Sequence, residues 1–411
     1  MDNILNNIQI LYNRKSNINK LIELIKPSVV LESVVVQKKN KLDQNTIDKI
    51  KKDINNIHDN EYMLTDLNSS EIPSEVWNLL ISKKLTKLEL FRNHLEIIPK
   101  TINKLTELDS FWVEHNELTE LPDAICELTK LRFLYLYDNQ LTTLPKSIGN
   151  LKELVILNIS NNQLKILPES IVNLNKLERL NISANQLTTL PESIVNLGKL
   201  ERLNISANQL TTLPKSIGNL SKLLILNISK NKLTELPASI GNLSTLDDLD
   251  ISENQLTTLP KSIGNLSNLQ TLDISTNELT TLPDTINKLN KLYRFWVERN
   301  KLTKLPDAIC ELIELQFLHL NDNKLETLPE LIGNLKLFTL KISNNQLKTL
   351  PESIGNLNTL EKLEISNNQL KTLPESIGKL TSILNIDLSH NPMEEKEKER
   401  LKKIFGSKLS M

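Results

Sequence analysis

Leucines and isoleucines recur along most of this chain in one phrase, L-x-x-L-x-L-x-x-N-x-L-x-x-L-P, as in Leu131, Leu134, Leu136, Asn139, Leu141, Leu144 and Pro145. The closing proline returns every 23 residues from Pro99 to Pro329, then after 22 at Pro351 and after 23 again at Pro374. A period of this length outranks local propensity, because it marks a stack of one structural unit. Within each copy the run Leu180, Asn181, Ile182, Ser183 alternates apolar and polar, which predicts a short strand with one face buried. Copies stacked in register make the strands parallel, one per repeat, with the intervening polar positions on an open concave face. After each Leu-Pro, residues such as 169–174 place apolar side chains at a spacing of about three, which predicts a short α or 3₁₀ turn on the convex side. Proline suits the first helical position there, since its missing N–H would have no partner anyway. Glycine often ends the turn, as at Gly149, Gly218 and Gly241, and hints at a left-handed residue; valine or cysteine fills the same slot elsewhere.

Asparagine forms a column of fourteen from Asn93 to Asn391. A buried amide is tolerated only when its donors and acceptor are paired, and backbone groups of the adjacent turn can do that. The column therefore reads as a structural ladder and not as a row of ligand-binding groups.

The ends depart from the phrase. Residues 1–60 lie outside it, with helical spacing at Ile4, Leu5, Ile8 and Leu11, at Ile18, Leu21, Ile22 and Ile25, and at Ile47, Ile50, Ile54 and Ile57. This region reads either as a cap on the first repeat or as a partner-binding element. Leu64, Ile72 and Pro73 look like a degenerate opening repeat. After Met393 a charged helix is expected from Glu394 to about Phe405, with acids first and lysines last, as the helix dipole prefers. Leu401, Ile404 and Phe405 form a narrow stripe suited to covering the end of the core. The expected division is 1–60 helical, 61–393 repeat array, and 394–411 capping helix and tail.

The repeated phrase resembles the leucine-rich repeat, in its 23-residue class with Leu-Pro opening the convex segment. It is also similar to the arrays of the Ras-scaffolding and Scribble/Erbin-like families and of many bacterial repeat proteins. The resemblance covers roughly residues 80–393 in thirteen tandem copies. It implies an α/β fold: a right-handed horseshoe-shaped solenoid with one parallel concave sheet, short convex helical or 3₁₀ segments, and helical caps at both ends. For function it implies protein binding without naming a partner, because the superfamily shares a shape more than a ligand.

Composition narrows the function classes. With 49 basic and 50 acidic residues the formal net charge is −1, which disfavours nucleic acid and anionic membrane as partners. No apolar run approaches the ~18 residues of a membrane helix, and Met1, Asp2 and Asn3 lack the basic-then-apolar pattern of a signal peptide. A cytoplasmic protein is expected, and non-classical export would leave the same sequence. Cys126 and Cys310 stand eight repeats apart, on the order of 38 Å at about 4.8 Å per strand. They are too distant for a disulfide and suit a reducing compartment. The five histidines show no metal-ligand spacing, and no glycine-rich phosphate loop or nucleophile–base pair occurs. Carboxylates such as Asp250 and Asp273 read as solvated positions. No enzyme, cofactor or metal is expected.

Two places break the small, polar pattern of the concave face with aromatics. Trp112, Tyr135 and Tyr137 occupy open-face slots in one, Trp296 and His319 in the other, eight repeats on; Phe111 and Phe295 fall in core slots. Aromatics make up only 4% of the chain, so their gathering here marks an interface candidate. Residues 111–145 and 295–329 share 25 of 35 identities, so ancestry alone could also explain the second patch. The copies differ in charge: Glu114, His115 and Glu117 rim the first, while Arg294, Arg299 and Lys301 rim the second. The candidate protein-binding residues are thus Trp112, Glu114, Tyr135, Tyr137, Arg294, Trp296, Arg299 and His319. Opposite rims fit either two regions of one long partner or salt-dependent head-to-tail self-association. A non-enzymatic scaffold in intracellular signalling is the leading reading, with a small GTPase as a partner by family analogy only. The alternative is a secreted or surface-associated bacterial factor that binds host proteins.

Overall fold

The computed structural model describes residues 41–411, so the two helical patterns before Pro27 lie outside the described residues. Sixteen short parallel strands pair in sequence order into one open sheet, from Glu61–Met63 to Leu409–Ser410. Each repeat contributes three strand residues in strict register, as where Leu180 faces Leu203 and Asn181 faces Asn204. The repeat leucines and isoleucines are almost wholly buried and make one continuous core between the sheet and the turns behind it. Each unit covers its neighbour's apolar face, which is why stacking and not any single repeat supplies stability.

The turns are 3₁₀, such as Glu169–Asn173 and Asp307–Glu311. Proline sits one residue earlier than expected. Pro168 is the cap, with an extended ψ of 140°, and its carbonyl accepts the N–H of Ile171 at 3.0 Å. Its fixed φ suits the approach to the turn, and it gives up no ladder hydrogen bond there.

The glycines also do something other than expected. Gly149, Gly218 and Gly241 do not adopt positive φ; among the described glycines only Gly406 does, at 56°. They are needed because adjacent turns stack closely. A Cβ on Gly149 would lie 2.1 Å from the Ser170 carbonyl oxygen, and one on Gly218 would lie 2.0 Å from that of Ser239.

Within the array a left-handed residue stands one position before each ladder asparagine. His115, Ala184, Thr276 and Arg299 have φ between 51° and 54°. This conformation turns the chain out of the strand while its N–H still reaches the next repeat, as from Ala184 to the Ser206 carbonyl at 2.9 Å.

All fourteen asparagines make the expected ladder. Asn139 Nδ2 donates to the carbonyls of Leu136 (3.1 Å) and Val113 (3.0 Å), and its Oδ1 accepts the Leu118 N–H at 3.0 Å. Two of those partners belong to the preceding repeat, so each asparagine staples its unit backwards. The 22-residue repeat keeps this pattern. Leu335 turns to ψ 155°, where its counterpart Leu312 has 71°, and Phe317 still faces Thr339. The missing residue is absorbed at the turn, and the sheet does not slip.

At the front, helix Gln44–Asn55 buries Ile47, Ile50 and Ile54, and helix Ser74–Ser82 buries Val76, Trp77 and Leu80. Lys51 pairs with Glu75 between them. At the far end, helix Glu395–Phe405 buries Leu401 and Phe405 and leaves Ile404 40% exposed. Its buried Glu397 accepts the Leu373 N–H at 2.9 Å, and Arg400 donates to the Leu373 carbonyl at 3.0 Å. A carboxylate and a guanidinium thus stand where a further repeat would have supplied partners.

Candidate functional site

The open face carries side chains from every second strand residue, as the period of two requires. Through the middle of the array these are short polar groups tied to themselves: Asn227 Oδ1 accepts both the N–H (3.0 Å) and the hydroxyl (2.7 Å) of Ser229. Against this background the first patch stands out. Trp112 and Tyr135 face each other across adjacent strands, with ring centroids 4.3 Å apart and planes tilted by 40°. Trp112 Nε1 donates to Ser110 Oγ at 2.6 Å, and Lys87 Nζ lies 5.5 Å from the indole centroid. Tyr137 meets His115 edge-on at 4.8 Å, and His115 bonds Asp138. These rings are half-buried by one another.

Glu114 corrects the sequence reading most sharply. It is not a rim residue: it is only 4% exposed, and its Oε2 has no hydrogen-bond partner. It points to the same face as Trp112, two residues earlier, and stands level with Tyr137 in the next strand. Burial pushes its carboxyl above the ordinary range, opposed by a hydrogen bond from its own backbone and by His115, with the Glu89 charge adding to the rise. Burial also raises the hydroxyls of Tyr135 and Tyr137, and the charge of Glu114 raises both further.

The second patch keeps the frame and changes the groups. Trp296 and His319 face each other with centroids 6.2 Å apart. His319 Nδ1 is 3.9 Å from Glu298 Oε2, beyond hydrogen-bond reach. Burial and the charge of Lys341 hold His319 down to about 4, so the imidazole is neutral and the contact is no ion pair. Arg294 lies over Tyr293 (4.9 Å) and Phe317 (5.5 Å), while exposed Arg299 is 3.9 Å from Asp322. Lys301, expected on a free basic rim, is paired with Glu278. Six strands, from Ile156–Asn158 to Thr271–Asp273, separate the two patches.

Sequence reasoning passed over Ser110, Lys87 and Tyr293. Ser110 reaches Trp112 within its own strand, while Lys87 and Tyr293 meet Trp112 and Phe317 only through cross-strand register, which no linear motif displays. It also read Asp250 and Asp273 as solvated. Asp273 is half-buried between Asp250 and Trp296, and its Oδ1 accepts the N–H (2.9 Å) and hydroxyl (2.6 Å) of Ser275. Burial raises it to about 7, and Asp248 nearby to about 6. The cause is the tight column of a parallel sheet, which screens alternate positions from water even when they face outward.

Among the described residues no group of three or more His, Cys, Asp or Glu is placed to hold a metal ion. Cys126 and Cys310 are buried free thiols, both raised by burial, Cys310 to about 11. A groove of about 1260 Å³ runs over the Leu-Pro turns, lined by residues such as Pro122, Pro145, Ile166 and Pro168. It repeats the ordinary repeat chemistry and gathers no unusual groups.

Comparison with known proteins agrees with this architecture. A family model described as "Leucine-rich repeat region" matches residues 119–209, 179–255 and 305–405, and another described as "Leucine rich repeat" matches residues 244–302. The chain belongs to the leucine-rich repeat family. A leucine-rich repeat protein of Leptospira interrogans is similar at 34% identity, over 92% of this chain and 100% of that one, with a TM-score of 0.80. The plant peptide hormone receptor RGFR1, solved in complex with RGF2, is similar at 29% identity over 81% of this chain and 59% of that one, with a TM-score of 0.64. PEPR1, solved with AtPEP1, is similar at 30% identity over 77% of this chain and 46% of that one, with a TM-score of 0.69. This leucine-rich repeat chain therefore spans only about half of each plant receptor chain. A search of curated protein sequences gave no match. Among the described residues no helix is long and apolar enough to cross a membrane.

Proposed function

We infer that this chain is a non-catalytic binding protein that holds a segment of a protein partner along the open face of its sheet. The observation that carries this reading is the Trp112–Tyr135 pair, stacked at 4.3 Å on a face otherwise made of short, self-bonded polar groups. Aromatic clusters that keep part of their surface open are the usual anchors of protein interfaces. Plant receptors of the same fold, solved with RGF2 and AtPEP1, support a peptide-like occupant. In this reading residues 61–393 form the binding array and residues 394–411 close it. Resemblance to Ras-scaffolding arrays makes a small GTPase one candidate partner in the cytoplasm. Similarity to the Leptospira interrogans protein favours a second reading, a bacterial factor directed at host proteins.

The test is affinity capture from lysate with wild type beside Trp112→Ala/Tyr135→Ala/Trp296→Ala. A partner held by wild type and lost by the variant, with circular dichroism unchanged, supports the open face. A partner held equally by both overturns it and directs attention to the terminal helices.

A further inference from the structure

Glutamate is rare at the open-face position two residues beyond the last strand residue, which is mostly serine, as at Ser160, Ser183 and Ser206. It occurs twice, at Glu114 and Glu298, each time two residues after a tryptophan. Both carboxylates have one buried oxygen without a hydrogen-bond partner. A buried, unpaired carboxylate is unfavourable in a finished fold, and a partner charge is what normally resolves it.

At the second copy part of that burial is offset by nearby cations, although the Glu298 carboxyl stays raised. Lys341 and Arg299 both act to lower the Glu298 carboxyl. At the first copy no lysine or arginine does so. Lys87 is committed to Glu89 at 2.7 Å, His115 is bonded to Asp138, and Arg132 lies 3.7 Å from Asp109. Arg92 is exposed, beside Tyr137, and makes no ion pair with Glu114. A carboxylate with no lysine or arginine paired to it therefore lies close to Tyr135 of the tilted Trp112–Tyr135 pair.

The geometry points to a receptor for an arginine side chain of the partner, with Trp112 and Tyr135 as stacking faces and Glu114 as the counter-charge. This rests on the open-face reading above and adds the chemistry of the occupant. A guanidinium fits better than an ammonium. It is planar, weakly hydrated, stacks on aromatic rings and still presents N–H donors to a carboxylate. Binding brings against the Glu114 carboxyl the cationic partner that the free protein does not provide.

The probe is a pair of immobilised random peptide libraries, one with a central arginine and the other with citrulline, its neutral isostere. Each is offered to the full chain. Wild type retains the arginine library at least about tenfold more strongly, as a desolvated charge-assisted contact would give. Glu114→Gln and Glu114→Ser abolish the preference, and Glu298→Gln leaves it intact. Glu114→Ser introduces the residue most repeats carry there, so it guards against a folding artefact. Equal retention of both libraries by wild type, with loss of both in Trp112→Ala/Tyr135→Ala, overturns the arginine site and leaves open-face binding standing. Retention unchanged in Trp112→Ala/Tyr135→Ala overturns both. No retention of either library by wild type overturns the arginine site.

Discussion

The two aromatic patches stand on the same frame, repeated eight units apart, and differ at the glutamate two residues after each tryptophan, buried in the first and half-buried in the second. At the first, Trp112 and Tyr135 stack at 4.3 Å, and the only cation that acts on Glu114 is a histidine, itself bonded to Asp138. At the second, His319 replaces the tyrosine, the rings stand 6.2 Å apart, and Lys341 and Arg299 act on Glu298. Arg294 there is spread over Tyr293 and Phe317 and holds its own aromatic surface. Both copies keep a carboxylate oxygen without a hydrogen-bond partner, and only the second has lysine and arginine charges acting against the rise. The two copies thus share one strand register, and substitution at a few outward positions separates their chemistry.

The contrast can be broken most directly at the rings. Trp112→Ala/Tyr135→Ala should weaken partner binding by at least about 30-fold, the scale of a hot spot. Trp296→Ala should do less in the same titration; equal losses would make the patches equivalent. The shared frame is tested next. Asn116 bonds Leu90 and Val113 carbonyls at 2.8 and 3.1 Å, and Asn300 bonds those of Ile274 and Val297 at 3.0 Å each. Asn116→Leu and Asn300→Leu should therefore each cost about 1–3 kcal/mol in urea unfolding. A large difference between them would mean the scaffolds are not alike.

A smaller effect separates the borders of the patches. The first is followed by neutral Asn158, while the second is preceded by Asp273. Burial raises Asp273 from 3.8 to about 7, so the folded protein retains a proton the unfolded chain has lost. Its contribution to stability is fullest below pH 3.8 and declines as pH rises to about 7. Asp273→Asn keeps an acceptor for Ser275, as Asn227 does for Ser229. It should raise stability at pH 8 by about 1–2 kcal/mol, discounted for partial exposure, and flatten the profile. A variant that falls with pH as wild type does would refute this. The smallest effect concerns the left-handed column. Thr276, in the repeat before the second patch, is β-branched at φ 53°. Thr276→Gly should stabilise by about 0.5–1 kcal/mol, since glycine removes the Cβ conflict at some entropic cost. A lower thermal midpoint would count against it.

Most of the frame was legible from spacing alone. The asparagine column, the parallel strands and the helix closing at Phe405 each rest on a repeated or amphipathic pattern that one sequence displays. The glycines were misread because their reason lies in the next repeat: the obstacle for Gly149 is the Ser170 carbonyl, not the backbone of Gly149 itself. Proline was placed one residue late because a fixed φ fits both cap and first turn, and only ψ separates them. The site divided in the same way. Trp112, Tyr135 and Trp296 were found as exceptions to a periodic face, whereas the burial of Glu114 depends on rings in neighbouring strands. Strand register decides such matters, and it becomes visible only once the units are stacked.

The closing pair Glu397 and Arg400 has a consequence for how such an array changes over time. Every asparagine reaches back one unit, so the last unit always needs partners from outside the pattern, and here one helix supplies them to Leu373. Recombination that removed this helix would expose that backbone, whereas copying an interior unit leaves both boundaries as they were. The near-identity of residues 177–199 and 200–222 is what growth from the middle would leave behind. Length is then a heritable variable, and the reach between the two patches can be reset by whole strands without redesigning either one.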